Sequence, residues 1–242
     1  EVLEQLSDAD AVLVPVGGGG LISGVAFAIK SLDPSIKVYG VQAERAAGMV
    51  ESLREGGPAT LDRVATFADG IAVKHPGDLT YALVRQYVDD VVTVSEDEIA
   101  AAILKLMEKQ KLVAEGAGAV SVAAALFGKV PVQGKKVVCI VSGGNIDVNI
   151  LSRVITRGLV TSGRNTTLQI ALEDKPGQLV GVSKIVSDCG ANVVSVLHER
   201  SDANMPIASC YLTLSMETRD FAQIEEIKRR LTEEGFAIVR AQ

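Results

Sequence analysis

Tryptophan is absent from this sequence of 242 residues, and aromatic residues make up only 4% of it. Hydrophobic residues nevertheless account for 48% of the chain, which is ample for a buried core. Without many large rings, that core has to be built from valine, isoleucine, leucine and alanine. Such a composition is typical of layered α/β proteins, in which parallel strands are buried on both faces.

Cysteine is scarce as well, and the three residues present, Cys139, Cys189 and Cys210, lie far apart in the sequence. Zinc sites and small disulfide frameworks use closely spaced cysteines, so neither is indicated. The three residues are interpreted as reduced thiols, which predicts a cytoplasmic protein.

Neither an excess of basic residues nor a long apolar segment is present. The formal net charge is −6, with 24 lysine and arginine residues against 30 acidic ones, so no nucleic-acid-binding surface is expected. The longest apolar helical run, Ala117–Phe127, is shorter than the ~20 residues that a membrane-spanning helix needs. We therefore expect neither nucleic-acid nor membrane partners.

The sequence does contain a run of four glycines, which lies between the apolar segment Ala11–Val16 and a helical pattern that extends to about Leu32. Ordering glycine costs more conformational entropy than ordering other residues, so four in a row need a reason. At the turn from a buried strand into a helix, free backbone N–H groups and the positive end of the helix dipole face the same point. This segment therefore predicts a backbone site for an anion, best suited to a phosphate.

Other nucleotide-binding patterns fit this segment less well. A P-loop requires a Gly-Lys-Ser/Thr ending, which is missing. The dinucleotide fingerprint Gly-x-Gly-x-x-Gly, counted from Gly18, needs a glycine at Ser23, whereas Gly24 comes one residue late. Glu44, at the end of the next predicted strand, does resemble the ribose-binding acid of that fingerprint. An NAD-dependent dehydrogenase therefore stays open as a rival, as does a tight turn without a ligand.

Strand and helix patterns alternate from residue 11 to about residue 155, which predicts a parallel sheet with helices on both faces. Strands after Gly163 instead alternate polar and apolar residues, as half-buried strands do. Their order with the intervening helices is β-α-β-β-α-β, that of a ferredoxin-like sandwich. We predict two domains, at residues 1–162 and 163–242.

Two further segments place polar residues at the ends of predicted elements. The segment "SGGNID" follows the predicted buried strand "KKVVCIV" directly. Ser142, Gly143 and Gly144 therefore lie at the carboxyl end of a strand, where ligands collect in open α/β sheets. Glu115 opens a helix of small residues, "EGAGAVSVAAALF". From spacing alone, Ser142 is equally well a helix cap, and Glu115 is a first-turn carboxylate that complements the helix dipole.

Three of these motifs, "PVGGGGL", "AEGAGA" and "VSGGNID", follow one another in an order and at a spacing that resemble the threonine dehydratases (threonine ammonia-lyases). These are pyridoxal-phosphate enzymes related to the tryptophan synthase β subunit. "FADGIAVK" at residues 67–74 resembles the same family, and the likeness covers residues 11–158. The tail, with "DKPGQL", "GANVVSVLHER" and "METRD", resembles the ACT regulatory domain found on many members.

The resemblance implies a fold-type-II catalytic domain, of which this chain holds the C-terminal part, and a set of pyridoxal 5'-phosphate ligands. Backbone N–H groups of the glycine turn would hold the phosphate of the cofactor, and these residues are Gly17, Gly18, Gly19, Gly20 and Leu21. Ser142 would hydrogen-bond the pyridine nitrogen, Gly143 would leave room for the ring, and Glu115 would lie near the cofactor.

The implied reaction is deamination of L-threonine to 2-oxobutanoate and ammonia by β-elimination, with some activity on L-serine. A serine hydroxyl at the pyridine nitrogen does not stabilise a protonated ring as an aspartate would. The ring is then a weaker electron sink, which favours elimination over transamination.

One departure from the family concerns the lysine that holds the cofactor covalently. In the family it lies in a Ser-Phe-Lys-x-Arg-like stretch of the N-terminal part, and no such stretch is present here. We therefore expect this chain to be the C-terminal part of a longer enzyme and to be inactive by itself. No catalytic residue is assigned within it.

A divalent metal site is not predicted either. Some relatives place a cation beside the residues that follow the strand "GVQAE" and use two acids. Glu44 is present here, but Val50 stands where the second acid is expected.

The resemblance of the tail implies an amino-acid effector site and an oligomer, because ACT domains pair and bind small amino acids near the loop after their first strand. The candidate effector residues are Lys175, Pro176, Gly177, Gln178, Leu179 and Asn192. Pro-Gly and Gly-Ala-Asn are equally typical of plain turns, so that interpretation stays open. His198 is interpreted as a solvent-facing strand residue.

Two further alternatives remain for the function. A serine dehydratase or racemase of the same cofactor class shares the glycine and Ser142 features, although the regulatory tail favours a threonine dehydratase. A non-catalytic amino-acid sensor is the other alternative. The small-molecule partners expected are an amino-acid substrate and an amino-acid effector, in a homodimer or homotetramer.

Overall fold

A computed structural model describes residues 1–200 and 206–241 of the chain. It divides into two compact units, residues 1–154 and residues 155–242. This division falls within a helix, a few residues before the domain boundary predicted between residues 162 and 163. The predicted boundary stays a prediction.

The first unit alternates strands and helices, as the sequence predicts. Its elements are α1 (Val2–Gln5), β1 (Ala11–Pro15), α2 (Gly20–Leu32), β2 (Lys37–Ala43), α3 (Gly48–Glu55), α4 (Asp78–Tyr87), β3 (Asp90–Val94), α5 (Glu96–Lys105), α6 (Gly116–Leu126), β4 (Val137–Cys139) and the start of α7 (Val148–Thr161).

The four strands form one parallel sheet in the order β3-β2-β1-β4. Strand β1 is central and buried along its whole length. Val12 and Val14 face one apolar cluster, and Leu13 faces another on the opposite side of the sheet. Burial on both faces explains why this strand is a continuous apolar run. The α/β class and the parallel sheet predicted from the sequence are confirmed.

Helix α5 begins at a local sequence signal: a serine, Ser95, followed three residues later by a glutamate, Glu98, predicts a capping box at a helix start. Ser95 Oγ accepts a hydrogen bond from Glu98 N, and the Glu98 carboxylate accepts one from Ser95 N, which confirms the capping box.

Two predicted elements differ in length from those observed. The strand predicted at residues 135–141 is shortened to β4, which lies at the edge of the sheet and, among the described residues, pairs only with β1. The residues after it leave the sheet and run irregularly to Asp147. Conversely, the helical pattern that the sequence shows up to about residue 155 continues as α7 to Thr161.

The second unit contains the end of α7, then β5 (Asn165–Glu173), α8 (Gln178–Asp188), β6 (Asn192–Glu199), β7 (Ser209–Glu217), α9 (Phe221–Glu233) and β8 (Ala237–Ala241). Its strands form an antiparallel sheet in the order β6-β7-β5-β8. Strands β5 and β7 alternate buried and half-buried residues, and their buried residues form one core with side chains of α8 and α9. This is the element order that the sequence predicts for the tail.

Within the described residues, no helix is both long enough and apolar enough to cross a membrane.

Candidate cofactor site

A cavity of about 290 Å³ lies in the first unit, where β1 ends and α2 begins. Seven of the eight residues predicted to hold the cofactor line it, namely Gly17, Gly18, Gly19, Gly20, Leu21, Glu115 and Ser142. Gly70 and Ile71, from the segment "FADGIAVK", contribute to the same wall. The structure thus brings together motifs that are separated by more than a hundred residues in the sequence.

The glycine turn has a backbone conformation that other residues do not tolerate. Gly19 precedes α2 as its N-cap and has φ of 95°, in the left-handed region. A Cβ on Gly19 would lie 2.8 Å from Met49 Cε, and one on Gly17 would lie 3.1 Å from Ile71 Cα. Since the first N–H groups of α2 have no acceptor within the helix, they remain available to an anion in the cavity.

Two hydroxyl groups hold the carbonyl oxygens of this turn. Thr80 Oγ1 donates to Gly18 O at 2.5 Å, with Gly77 O at 2.9 Å as a second acceptor. Ser23 Oγ donates to Gly19 O at 2.7 Å. A peptide whose carbonyl is fixed also has a fixed N–H direction, because the peptide group is planar. Thr80 and Ser23 therefore orient the donors that line the cavity.

Replacing Thr80 with valine, which has the same shape but no hydroxyl, should loosen the turn. We expect a loss of about 1–3 kcal/mol in the free energy of unfolding and weaker cofactor retention, because Gly18 O then lacks its donor. Thr80→Ser keeps the hydroxyl and is the matched control. Urea unfolding and cofactor absorbance after desalting measure the two effects. Equal behaviour of the valine and serine variants would contradict the positioning role.

Gln42 is a second supporting residue that the sequence analysis did not identify. It lies in β2 and is fully buried, and its Nε2 donates to Val16 O and Ala46 O, both at 3.2 Å. Its Oε1 accepts from the backbone N–H groups of Met49 and Val50, both at 3.0 Å. The side chain thus joins the residue before the glycine turn to the start of α3. A polar residue inside an otherwise apolar buried strand was the available signal.

Glu115 lies at the N-cap of α6 and its side chain makes no capping hydrogen bond. Its backbone N–H donates to Gly143 O at 3.1 Å. A Cβ on Gly70 would lie 3.2 Å from Glu115 Oε1, and a Cβ on Gly143 would clash with the same carboxylate. Gly143 therefore does not itself line the cavity but leaves space for Glu115. The carboxylate forms part of the cavity wall instead of capping the helix.

Ser142 is exposed on the cavity wall, in the irregular segment after β4. The alternative that it caps the following helix is wrong, because α7 begins only at Val148. Asp147 takes that role, and its Oδ1 accepts from the N–H groups of Asn149 at 2.7 Å and Ile150 at 3.3 Å. The Ser142 hydroxyl is therefore available to a ligand.

Glu44, the residue that kept a dinucleotide site open, is exposed on a short turn after β2 and does not line the cavity. Among the residues that the structure describes, the lining of this cavity also includes no lysine.

Fold and site together define a class of protein. A parallel sheet carries a glycine turn at the start of a helix, and this turn faces a hydroxyl and a carboxylate across a cavity of ligand size. This arrangement is typical of proteins that bind a phosphate-bearing ligand through backbone N–H groups. The residues fit pyridoxal phosphate, since a turn of glycines leaves its N–H groups accessible from the cavity and a side chain on Gly19 would displace that turn.

Comparison with known proteins identifies the family. The family model described as "Pyridoxal-phosphate dependent enzyme" matches residues 1–143. An L-threonine ammonia-lyase of Thermotoga maritima is 52% identical over 238 residues, which cover 98% of this chain and 59% of that protein. The chain therefore belongs to the pyridoxal-phosphate dependent enzyme family, and it spans 59% of the length of this curated relative.

Solved structures agree with this assignment. The processed form of threonine deaminase isoform 2 from Solanum lycopersicum is 40% identical, with a TM-score of 0.60, over 64% of this chain and 46% of that chain. A maize serine racemase is 37% identical, with a TM-score of 0.59, over 66% of this chain and 50% of that chain.

The second unit holds a separate cavity of about 420 Å³. Five of the six candidate effector residues line it, namely Lys175, Pro176, Gly177, Gln178 and Leu179. The structure does not bring Asn192 to this cavity. Asn192 pairs with Glu217 at one end of the sheet, whereas Glu173, which precedes the loop, pairs with Ser209 at the other end. The Asn192 amide donates to Glu217 Oε2 at 3.1 Å.

The same cavity is also lined by Glu173, Asp174, His198, Arg200 and Cys210. Asp174 opens the loop that the sequence predicts as the effector site, and the other four are not predicted to belong to that site. They come from three separate strands or strand ends, so they form no recognisable motif in the sequence.

Proposed function

We propose that the complete protein deaminates L-threonine to 2-oxobutanoate and ammonia with pyridoxal phosphate as cofactor. The observation that carries this proposal is the cavity that joins the glycine turn, Ser142 and Glu115. Support also comes from the 52% identity to an L-threonine ammonia-lyase, which extends over both units of this chain.

Each part of the cavity then has a role in binding. Pyridoxal phosphate, when bound, supplies an electron sink for negative charge at the α-carbon of the substrate. The N–H groups from Gly17 to Leu21 bind its phosphate, and the Thr80 and Ser23 hydroxyls keep those groups oriented. Glu115 supplies a carboxylate at the cavity wall that can hold a proton or orient a water molecule.

Ser142 determines which reaction the site favours. In the proposed arrangement its hydroxyl contacts the pyridine nitrogen and leaves the ring without a full positive charge. Elimination suits such a ring, because the departing β-hydroxyl removes negative charge from the α-carbon. Replacing Ser142 with alanine should lower kcat for threonine more than it raises KM.

The lysine that holds the cofactor covalently is proposed to come from the part of the enzyme that this chain does not cover. The absence of lysine among the described residues of the cavity wall supports this. The 242-residue chain alone should then not turn over threonine. Measurable turnover by this chain, verified by its intact mass, would refute that proposal.

Racemisation is the second candidate reaction, because a maize serine racemase is among the similar structures. The two candidates differ in product. We expect the complete protein to release 2-oxobutanoate from L-threonine and to form little D-serine from L-serine. Chiral chromatography and a keto-acid assay on the same samples decide between them, and D-serine as the main product would overturn the proposal.

The second unit is proposed to be an ACT regulatory domain that binds an amino-acid effector and pairs with a second copy. Its element order and the cavity beside Lys175 to Leu179 support this. We also propose a cytoplasmic location, for which the three free cysteines are support. A non-catalytic sensor would bind an amino acid at this cavity without threonine turnover by the complete protein.

A further inference from the structure

Three side chains at one end of the second unit form a cluster of metal-binding type. The carboxylate of Asp174, an imidazole nitrogen of His198 and the thiol of Cys210 all lie within 4.8 Å of one another. They line the cavity of about 420 Å³ described above. The sequence analysis predicts no metal site, because these residues are separated by 24 and 12 positions and match no local ligand spacing.

Strand register explains why the three side chains meet. Cys210 lies opposite Leu172 in the β5–β7 pair, and His198 lies opposite Leu212 in the β6–β7 pair. Directly paired residues have side chains on the same face, and so do residues two apart on a strand. Asp174, two residues after Leu172, therefore reaches the same corner of the sheet.

The three ligand atoms, a carboxylate oxygen, an imidazole nitrogen and a sulfur, suit a divalent transition-metal ion that accepts both hard and soft ligands. Zinc and cobalt(II) accept thiolate, imidazole and carboxylate ligands together. A tetrahedral ion with bonds of about 2.0–2.3 Å holds its ligand atoms roughly 3.3–3.7 Å apart, so each pair here has to close by about 1.5 Å at most. We propose that Asp174, His198 and Cys210 bind one divalent transition-metal ion of the zinc class.

The solvent exposure of the three residues differs in a way that fits such a site. Asp174 and His198 are exposed, whereas Cys210 is buried. An ion can therefore enter from solvent and bind the sulfur last. Burial and the nearby Asp174 raise the pKa of the Cys210 thiol, against the opposing effect of Arg200. A metal ion binds the thiolate, so binding releases the proton of this thiol and the cation compensates the negative charge.

Arg200 occupies part of this site in the absence of a cation. Its Nη2 lies 3.1 Å from Asp174 Oδ1, and its side chain is 63% exposed. Exposed ion pairs of this kind contribute little to stability, so Arg200 can move into solvent when an ion binds. It nevertheless competes for the same carboxylate. Removing its charge should therefore strengthen metal binding.

Three protein ligands leave a tetrahedral ion one further position, and all three residues line the cavity, so water or a small ligand would supply the fourth ligand. Sites with three protein ligands and one open position are those in which zinc takes up an exchangeable ligand. This inference rests only on the three side chains, and it does not depend on the proposed threonine deamination or on an amino-acid effector.

The test is titration of the chelator-treated chain with cobalt(II) alone. We expect one equivalent to bind, with a sulfur-to-cobalt charge-transfer band in the near ultraviolet, and zinc to displace it. Cys210→Ser should abolish the band. Cys189→Ser, which changes a half-buried cysteine outside the cluster, should leave it unchanged. Thermal unfolding of each variant without metal separates loss of the fold from loss of a ligand.

Substitutions at the exposed positions keep the test valid even where Cys210→Ser fails to fold. Asp174→Asn and His198→Gln should each weaken cobalt binding at least tenfold, and Arg200→Gln should strengthen it several-fold. No stoichiometric binding to the unaltered chain would overturn the proposal. So would a band that survives in Cys210→Ser or an affinity that Asp174→Asn and His198→Gln leave unchanged.

Discussion

Replacing Gly19 with alanine is expected to abolish retention of pyridoxal phosphate. At φ of 95° an alanine is strained by about 1–2 kcal/mol, and its Cβ would lie 2.8 Å from Met49 Cε and 2.9 Å from Thr80 Cβ. The turn has to move, and with it the N–H groups that face the cavity. Because a hydrogen bond to a charged group contributes about 1.5–3 kcal/mol, the loss of one or two should weaken binding roughly 100-fold or more.

Gly24→Ala is the matched control for this prediction. Gly24 lies within α2, and a Cβ there meets no atom within 4 Å. Alanine at an exposed helical position should stabilise the protein slightly, by up to about 1 kcal/mol, and leave the cofactor bound. The measurement is cofactor absorbance after desalting of the complete protein, with urea unfolding of the cofactor-free form. Full retention by the Gly19 variant would show that the turn does not hold the phosphate.

Gly118→Ala should destabilise the first unit by about 2–3 kcal/mol, as overpacking in a core typically does. Gly118 is buried in α6, and its Cβ would lie 2.6 Å from Gly143 O. A backbone oxygen cannot turn away as a flexible side chain can. Relief of the clash requires a shift of the segment that carries Ser142, and it stretches the hydrogen bond between Glu115 N and Gly143 O.

Cofactor binding should therefore weaken in the Gly118 variant even though residue 118 does not line the cavity. Urea unfolding gives the change in stability, and equilibrium dialysis against pyridoxal phosphate gives the change in affinity under conditions where both proteins are folded. Gly24→Ala again serves as the reference for a glycine-to-alanine change in a helix. A Gly118 variant as stable as the unaltered protein would contradict the observed packing of α6.

Much of the first unit follows from local patterns. The apolar run of β1, the glycine turn and the capping box of α5 are each set by neighbouring residues, and the structure has them where the sequence predicts them. Element ends were less predictable. Strand β4 stops at Cys139, although the apolar run of its sequence continues to Val141.

Some residues of the candidate cofactor site could likewise be identified from the sequence, and others could not. Its glycines, Ser142 and Glu115 stand out in the sequence because they interrupt apolar patterns at the ends of elements. Thr80 does not stand out, since it resembles an ordinary helix residue, and Gln42 is marked only as a polar residue within an otherwise apolar strand. Their importance depends on which backbone groups lie within hydrogen-bonding distance.

For the second unit, the sequence predicted the order of elements but not which residues share one end of the sheet. The sequence predicts that Asn192, in the next turn, contributes to the effector site, whereas the antiparallel register places it at the other end of the sheet, beside Glu217. The same register brings His198 and Cys210 to Asp174.

By itself, then, the sequence determined the α/β class, the succession of elements and the glycine turn between β1 and α2, because these depend on side-chain periodicity and on the backbone freedom of glycine. Only the tertiary structure decided what supports that turn and which distant side chains meet in the second unit. Those contacts depend on strand register and on packing between elements, and both are properties of several segments at once.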